Sequence, residues 1–332
     1  MGDEKIQRRI DVTATLTDVA RQAGVSLATA SRAFGDPERL ADSTLDRVLK
    51  AAAALGYENP HASSAEKTFG VLVPDIASPV YAMLLKGIHN QAWHGRHHPV
   101  LFDTAEDLHR EREQIASARR LDGMLLCSPR LAEGEVRSLA GETPTVVVNR
   151  AIEGVPCVVM DAEHGTRQAV EYLAALGHRH IVYAAGPQRS WADTRRGRVI
   201  EDACASLGIR FARLSHQAAS IQGGRVAAAS VVASGATAVI AYNDLIALGV
   251  EAGIADLGRR CPDDLSIVGI DDIEMASVRQ PGLTTVKLAI DRCGSLAVEI
   301  LLQVMSGGTP PAIASLDSQL IVRGSTAAPP TG

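Results

Sequence analysis

The stretch Thr15-Leu16-Thr17-Asp18-Val19-Ala20-Arg21-Gln22-Ala23-Gly24-Val25-Ser26-Leu27-Ala28-Thr29-Ala30-Ser31-Arg32-Ala33-Phe34 holds two short helical periods separated by a glycine turn. Thr15 followed three residues later by Asp18 has the form of a capping box. In that motif the hydroxyl takes an orphan helix N–H and the acidic side chain sits at the positive end of the dipole. Leu16, Val19, Ala20 and Ala23 fall at helical spacing. Gly24 then permits a sharp turn, and Ser26 can cap a second helix running to about Phe34. The spacing fits a helix-turn-helix whose second helix enters a major groove, and it also fits a small helical bundle that contacts protein. Charge does not decide between them, because residues 15–58 carry Arg21, Arg32, Arg39, Arg47 and Lys50 against Asp18, Asp36, Glu38, Asp42, Asp46 and Glu58.

Outward from this stretch, residues 1–14 are polar and read as a mobile extension. Leu45, Val48, Leu49, Ala52 and Leu55 form the expected apolar face of a third helix ending at Gly56, which closes a module over 15–58. Residues 59–68 are small and polar and read as a linker. From Phe69 onward, β-rich runs (Phe69 to Val73, Val100 to Phe102, Met124 to Cys127, Val146 to Val148, Ile181 to Ala185, Val239 to Ala241, Ile267 to Ile270) alternate with amphipathic stretches. Those stretches are Tyr81 to Trp93, Leu108 to Arg120, Gly165 to Leu176, Arg195 to Leu207 and Leu245 to Leu257. Such alternation predicts an α/β core over 69–332, built as two Rossmann-like lobes of parallel sheet covered on both faces. Ligands bind such sheets at strand carboxyl ends, here between the lobes.

The chain has 332 residues, 46% of them hydrophobic and 21% charged, enough to bury a sizeable core. Its net charge of −5 does not announce a nucleic-acid binder. No apolar run approaches the ~18 residues of a membrane span and the first residues lack a signal-peptide core, so a cytoplasmic protein is expected. Cys127, Cys157, Cys204, Cys261 and Cys293 are odd in number and widely spaced, which predicts reduced, buried thiols. G-x-x-x-x-G-K-[ST], G-x-G-x-x-G after a strand and G-x-S-x-G are all missing, so no phosphate-loop, dinucleotide or hydrolase reading has support. His94, His97 and His98 have no carboxylate or cysteine at ligand spacing and read as solvated. His178 and His180 sit in a turn before a strand. No metal or cofactor is expected, and no catalysis.

The run Leu16 to Arg32 together with Leu55-Gly56-Tyr57 resembles the headpiece of the lactose-repressor/galactose-repressor (LacI/GalR) family of bacterial transcription regulators. The similarity continues through Val73-Pro74-Asp75, Asp122-Gly123-Met124-Leu125-Leu126, Val148-Asn149-Arg150, Leu176-Gly177-His178-Arg179, Asn243-Asp244, Ser266-Ile267-Val268-Gly269-Ile270-Asp271-Asp272, Leu283-Thr284-Thr285-Val286 and Val322-Arg323-Gly324-Ser325. The resemblance implies a DNA-binding headpiece, a hinge and a core like that of periplasmic sugar-binding proteins, assembled as a homodimer or a tetramer. It implies operator DNA as one partner and a sugar or nucleoside-like effector as the other. The competing reading is a ligand-binding or enzymatic α/β protein whose N-terminal helices are an interaction module.

Carried over by position, the resemblance places Leu27, Ala28 and Arg32 at base edges, with Thr17, Ser26, Thr29 and Ser31 beside them at the DNA. Arg32 can donate two bonds to guanine, Leu27 and Ala28 offer apolar contact, and Ser26 and Ser31 suit phosphates. Two departures stand out: Ala41 replaces the usual hydroxyl cap of the third helix, leaving Asp42 or Ser43 for that role, and the family's Ala-Arg-x-Leu hinge is missing from Pro60 to Thr68. In the core, Tyr81, Ser128, Arg150, Trp191, Arg196, Asn243 and Asp271 fall at strand ends or helix starts and are the expected effector contacts. Tyr81 and Trp191 would stack, and Arg150 and Asp271 would face each other across the ligand.

Overall fold

A computed structural model of the chain describes residues 14–35, 40–55, 57 and 66–330. The chain divides into two compact units between Lys67 and Thr68. The extension expected over 1–14 lies outside the described residues except for Ala14. Of the linker expected over 59–68, residues 59–65 are outside them as well, and Thr68 already opens a strand.

The N-terminal unit is three helices: α1 (Leu16–Ala23), α2 (Leu27–Gly35) and α3 (Asp42–Leu55). Thr15 and Asp18 form the expected capping box, the Asp18 carboxylate accepting from Thr15 N–H at 3.0 Å. Gly24 closes α1 at φ +64°, a left-handed conformation that glycine adopts without a Cβ penalty. Ser26 Oγ accepts from Thr29 N–H at 3.1 Å and so caps α2. Val19, Ala20, Ala23, Ala30, Ala33, Val48, Ala51 and Ala52 form the buried core, and the rings of Phe34 and Tyr57 meet at 5.6 Å beside it. Leu49 does not join them. It is 45% exposed, because Leu45, Val48 and Ala52 already fill the inward face and Ala51 takes the adjacent position. Ala41 precedes α3, its carbonyl accepting from Thr44 and Leu45 N–H, and Asp42 opens the helix.

The second unit is two lobes. The first begins with β1 (Thr68–Val73), α4 (Pro79–His94), β2 (His98–Asp103), α5 (Leu108–Ala118), β3 (Gly123–Cys127), α6 (Glu133–Ala140), β4 (Thr145–Val148) and β5 (Cys157–Met160). The second follows with α7 (Glu163–Ala175), β6 (His180–Ala184), α8 (Trp191–Ser206), β7 (Arg210–Arg213), α9 (Ile221–Ala233), β8 (Ala238–Ala241), α10 (Asp244–Asp256), β9 (Ser266–Asp271), α11 (Glu274–Val278) and β10 (Thr284–Lys287). The chain then returns with α12 (Ile290–Met305) and β11 (Ile313–Leu316) to the first lobe and ends with β12 (Gln319–Ile321) in the second. The sheets run β11-β5-β4-β3-β1-β2 and β12-β10-β9-β8-β6-β7, parallel throughout except that β12 is antiparallel to β10.

These sheets explain the sequence pattern. Every residue of β3, β4 and β9 is buried, since helices cover both faces, and the strands read as continuous apolar runs. The edge strands β2, β7 and β11 are partly exposed. Strand order reverses between β1 and β3 in one lobe and between β6 and β8 in the other, and the crevice at such a switch point is where doubly wound sheets hold ligands. Among the described residues no helix is long and apolar enough to cross a membrane.

Cys127, Cys157, Cys204 and Cys293 are buried free thiols as expected, whereas Cys261 is partly exposed. His97, expected to be solvated, is 5% exposed, because the chain turns inward after α4 with His97 N–H on the Ala92 carbonyl. His178 is fully buried and bonded to Thr237 Oγ1, Ser266 Oγ and the Ala327 carbonyl.

Candidate functional site: an exposed helix face and an interlobe cavity

In the N-terminal unit, α2 turns Ala30 and Ala33 into the core and leaves the opposite side free. Ala28, Ser31 and Arg32 are exposed there, Leu27 is 51% exposed, and Thr17 is exposed on α1. Ser26 and Thr29 are occupied locally, their hydroxyls 2.8 Å apart in the cap. Leu27 at the start of α2 and Arg32 further along it thus leave an apolar and a cationic side chain on the exposed surface of this unit.

In the second unit, a cavity of about 530 Å³ opens where the two switch points face each other. Tyr81, Glu106, Arg130 and Asn149 line it from the first lobe, and Arg196, His216, Ser220, Tyr242, Asn243 and Asp271 from the second. Most of these follow a strand or start a helix, and the backbone there is unusual. Ser128, Asn149, Asp271 and Asp272 have φ of +48°, +58°, +127° and +59°. Left-handed conformations outside glycine are strained and persist where the surrounding structure imposes them, as at binding sites.

The cavity holds two arginine–carboxylate pairs. Arg130 donates through Nε and Nη2 to the two oxygens of Glu106, both at 2.8 Å, and through Nη1 to the Ser128 carbonyl. Arg196 and Asp271 are each 5% exposed at the side chain and 3.5 Å apart, and Arg196 Nη1 donates to the Tyr242 carbonyl. Arg196 Nε is buried without a hydrogen-bond partner among the described residues. Burial pushes the Asp271 carboxyl up to about 8, against the pull of Arg196, and burial likewise raises its neighbour Asp244 to about 6. Asp244 is fully buried and accepts from Thr285 Oγ1 and Ile273 N–H, which fixes the loop after β9. Burial also raises the Tyr81 phenol, so it stays a neutral donor.

Tyr242 supplies no open stacking face. The Arg196 guanidinium lies 4.8 Å from its ring centre, and a Cβ on Gly186 would fall 2.3 Å from the ring. Asn243 caps α10, its Oδ1 accepting from Ile246 N–H at 2.9 Å, so its amide group remains as a donor beside the cavity. His216 is fixed by the Gly186 carbonyl at 3.0 Å and by Asp193 at 3.4 Å.

Of the expected effector contacts, Tyr81, Arg196, Asn243 and Asp271 line this cavity together. Ser128 stands behind it, where its Oγ accepts from Asn149 Nδ2 at 3.2 Å. Trp191 packs against the apolar cluster of the first lobe under the Arg195 guanidinium, lining a small adjacent pocket instead. Arg150 is not a wall of the cavity: it is 9% exposed and its guanidinium points to the carbonyls of Pro129 and Leu131. The cation that faces the cavity from the first lobe is Arg130. It lies three residues beyond β3, close enough to the strand end to be read as a candidate, whereas His216 and Glu106 carry no comparable signal.

Residues 15–59 match the family described as bacterial regulatory proteins, lacI family, and residues 170–326 match a periplasmic binding protein-like domain. The HTH-type transcriptional regulator GalS of Salmonella typhimurium is 30% identical over 308 residues, covering 88% of this chain and 90% of that protein. The HTH-type transcriptional repressor CytR of Escherichia coli is 30% identical over 338 residues, covering 97% and 99%. Among solved structures, the lac repressor dimer bound to operator and the anti-inducer ONPF is similar at a TM-score of 0.72 and 26% identity, over 95% of this chain and 100% of that one. The CelR–cellobiose complex is similar at 0.71 and 27% identity, over 94% and 99%. Fold, motif order and near full-length similarity to these regulators agree: the chain belongs to the LacI family of bacterial regulatory proteins and is a DNA-binding transcriptional regulator.

Proposed function

We propose that this regulator is a cytoplasmic, non-catalytic repressor that binds operator DNA as a dimer and is controlled by a neutral polyhydroxy effector, a sugar or sugar-like compound, in the interlobe cavity. The observation that carries the effector class is that the two buried arginines of the cavity are already engaged. Arg130 gives two bonds to Glu106, and Arg196 stands against Asp271 and the Tyr242 carbonyl, so the wall presents hydroxyl, amide and carboxyl groups to a ligand rather than an unengaged buried cation for phosphate or carboxylate. The effector contacts are Tyr81, Arg130, Arg196, Asn243 and Asp271. In the headpiece, Arg32 reads a guanine, Leu27 and Ala28 make apolar base contacts, and Thr17, Ser26, Thr29 and Ser31 serve the backbone.

Exposed apolar side chains support self-association: Val100 and Leu101 on β2 with Trp93 on α4 in one lobe, and Ile221, Val226 and Leu257 in the other. A ligand that bridges the lobes favours one relative arrangement of them, and coupling of about 1 to 3 kcal/mol to DNA binding is typical of such devices. The test is thermal unfolding of the full chain with ribose, galactose, maltose and cellobiose, and with ribose 5-phosphate and glucose 6-phosphate. A neutral sugar at 100 times its Kd stabilises the protein by about 2.7 kcal/mol. Stabilisation by the phosphates alone contradicts the effector class.

A further inference from the structure

The loop of residues 128–131 after β3 is gripped by two buried charges of opposite sign, neither of which lines the cavity. From α5, Glu111 accepts from Arg130 N–H on both oxygens, at 3.0 and 3.1 Å, and from Leu131 N–H at 3.4 Å. From beyond β4, Arg150 Nη1 donates to the carbonyls of Pro129 at 2.8 Å and Leu131 at 2.7 Å. Ser128 N–H donates to the Val148 carbonyl, and the Ser128 carbonyl takes Arg130 Nη1. Every N–H of the loop is therefore bonded, with the carbonyls of Ser128, Pro129 and Leu131. Glu111 and Arg150 are 4% and 9% exposed. Burying a carboxylate and a guanidinium is costly, and here the cost is offset by bonds to one loop backbone. Ser128, at φ +48°, shows that the loop conformation is imposed and not locally preferred. What the loop delivers to the cavity is Arg130.

We propose that Glu111 and Arg150 are positioning residues, a two-sided clamp on the loop that sets the Arg130 guanidinium in the cavity, and this rests on reading that cavity as the effector site. The carboxylate collects the N–H groups and the guanidinium collects the carbonyls, so neither can be replaced by its nearest neighbour. Glu111→Gln keeps the shape but turns an amide NH2 toward N–H groups. Arg150→Lys keeps the charge but ends about one bond short of Nη1, the nitrogen that holds both carbonyls, on a more flexible stem.

The test uses the full chain and two readouts. Hydrogen exchange of the peptide spanning Arg130 and Leu131, which needs no sugar, is expected to quicken at least about tenfold in Glu111→Gln and in Arg150→Lys. Calorimetry with whichever of ribose, galactose, maltose and cellobiose binds wild type most tightly is expected to show a loss of about tenfold or more in Arg130→Ala and in Arg150→Lys. The double variant is expected to lose no more than the worse single one, because both changes remove the same contact. Unchanged exchange in both clamp variants overturns the proposal, as does a double variant whose losses multiply. If Arg130→Ala binds the sugar like wild type, the reading of the cavity fails, while the exchange result still decides whether the clamp holds the loop.

Discussion

Replacing Gly249 by Ala sets helix propensity against packing, and the structure decides the sign. Helices α9 and α10 cross backbone to backbone. A Cβ on Gly249 would lie 2.1 Å from the Ile221 carbonyl oxygen and 2.8 Å from Gly224 Cα, and one on Gly224 would lie 2.2 Å from the Ile246 carbonyl oxygen. Ordinary contact is about 3.5 Å, so the axes must part by roughly 1 Å, and a gap of that size forfeits a quarter to a half of each dispersion contact around it. The contacts at risk are those of the buried Ala227, Ala228, Val231, Ile246 and Val250. Because the obstructing atoms are backbone, the cost falls near the top of the ~1 to 3 kcal/mol range for overpacking. Alanine returns about 1 kcal/mol of helix propensity, which leaves about 2 kcal/mol of net destabilisation. By thermal unfolding followed by circular dichroism, Tm should fall by about 4 to 8 °C, at roughly 2 to 4 °C per kcal/mol for a unit of this size. The control is Gly134→Ala on α6, where nothing lies within 4 Å of the added Cβ and a slight gain is expected. Ser220 before α9 and Asn243 before α10 line the cavity, so sugar affinity should weaken with Gly249→Ala. A Tm for Gly249→Ala that rises as it does for Gly134→Ala refutes the close crossing.

Other perturbations probe the two surfaces and the buried titrating groups. Arg32→Ala should cost about 1 to 3 kcal/mol on the cognate operator and flatten the preference at one base pair, and an equal loss on random DNA would show a mere counter-charge. Because burial raises Asp271 from 3.8 to about 8, the empty protein favours the protonated carboxyl; that stabilisation is full below pH ~4, declines as pH rises and is gone above pH ~8. Asp271→Asn should flatten the fall of Tm across that window and abolish the sugar response, and an unaltered slope would show that Asp271 is ionised throughout. Burial lowers His178 below its usual 6.5, so its contribution is present above that value and is lost as pH falls through the lowered pKa. The Tm difference between wild type and His178→Gln should therefore narrow from about pH 7 to about pH 5, and a constant difference would place the effect in the lost hydrogen bonds alone.

Much of the architecture was legible because its causes are local. The Thr15–Asp18 box, the turn at Gly24 and the cap at Ser26 need only neighbours within four residues, and the apolar runs of β1, β3, β4, β6, β8 and β9 announce sheets covered on both faces. The elements not anticipated, β5, β7, β10, β11, β12, α6, α9, α11 and α12, are mostly short or weakly patterned, and α9 begins Ile221-Gln222-Gly223-Gly224, a poor helix by propensity. It forms where it does because Gly224 lets α10 approach, while Gly223 fits against the Ala218 backbone before the helix.

Four of the expected effector contacts met in one cavity because strand ends and helix starts converge wherever two doubly wound lobes face each other. Where a long side chain goes from such a position is a different matter. Arg150 and Arg130 both follow strands of the first lobe, and sequence offers no reason to prefer either as a ligand. Arg150 turns inward because the carbonyls of Pro129 and Leu131 lie within its reach and need a donor, and Arg130 turns to the cavity because Glu106 meets it there. Leu49 and Trp191 went the same way, one left exposed by a face already filled and the other drawn under the opposite lobe. Periodicity and capping are short-range and written in the chain itself, whereas the bearing of a long polar side chain is set by partners some twenty residues or more distant, which only the assembled lobes bring within hydrogen-bond range.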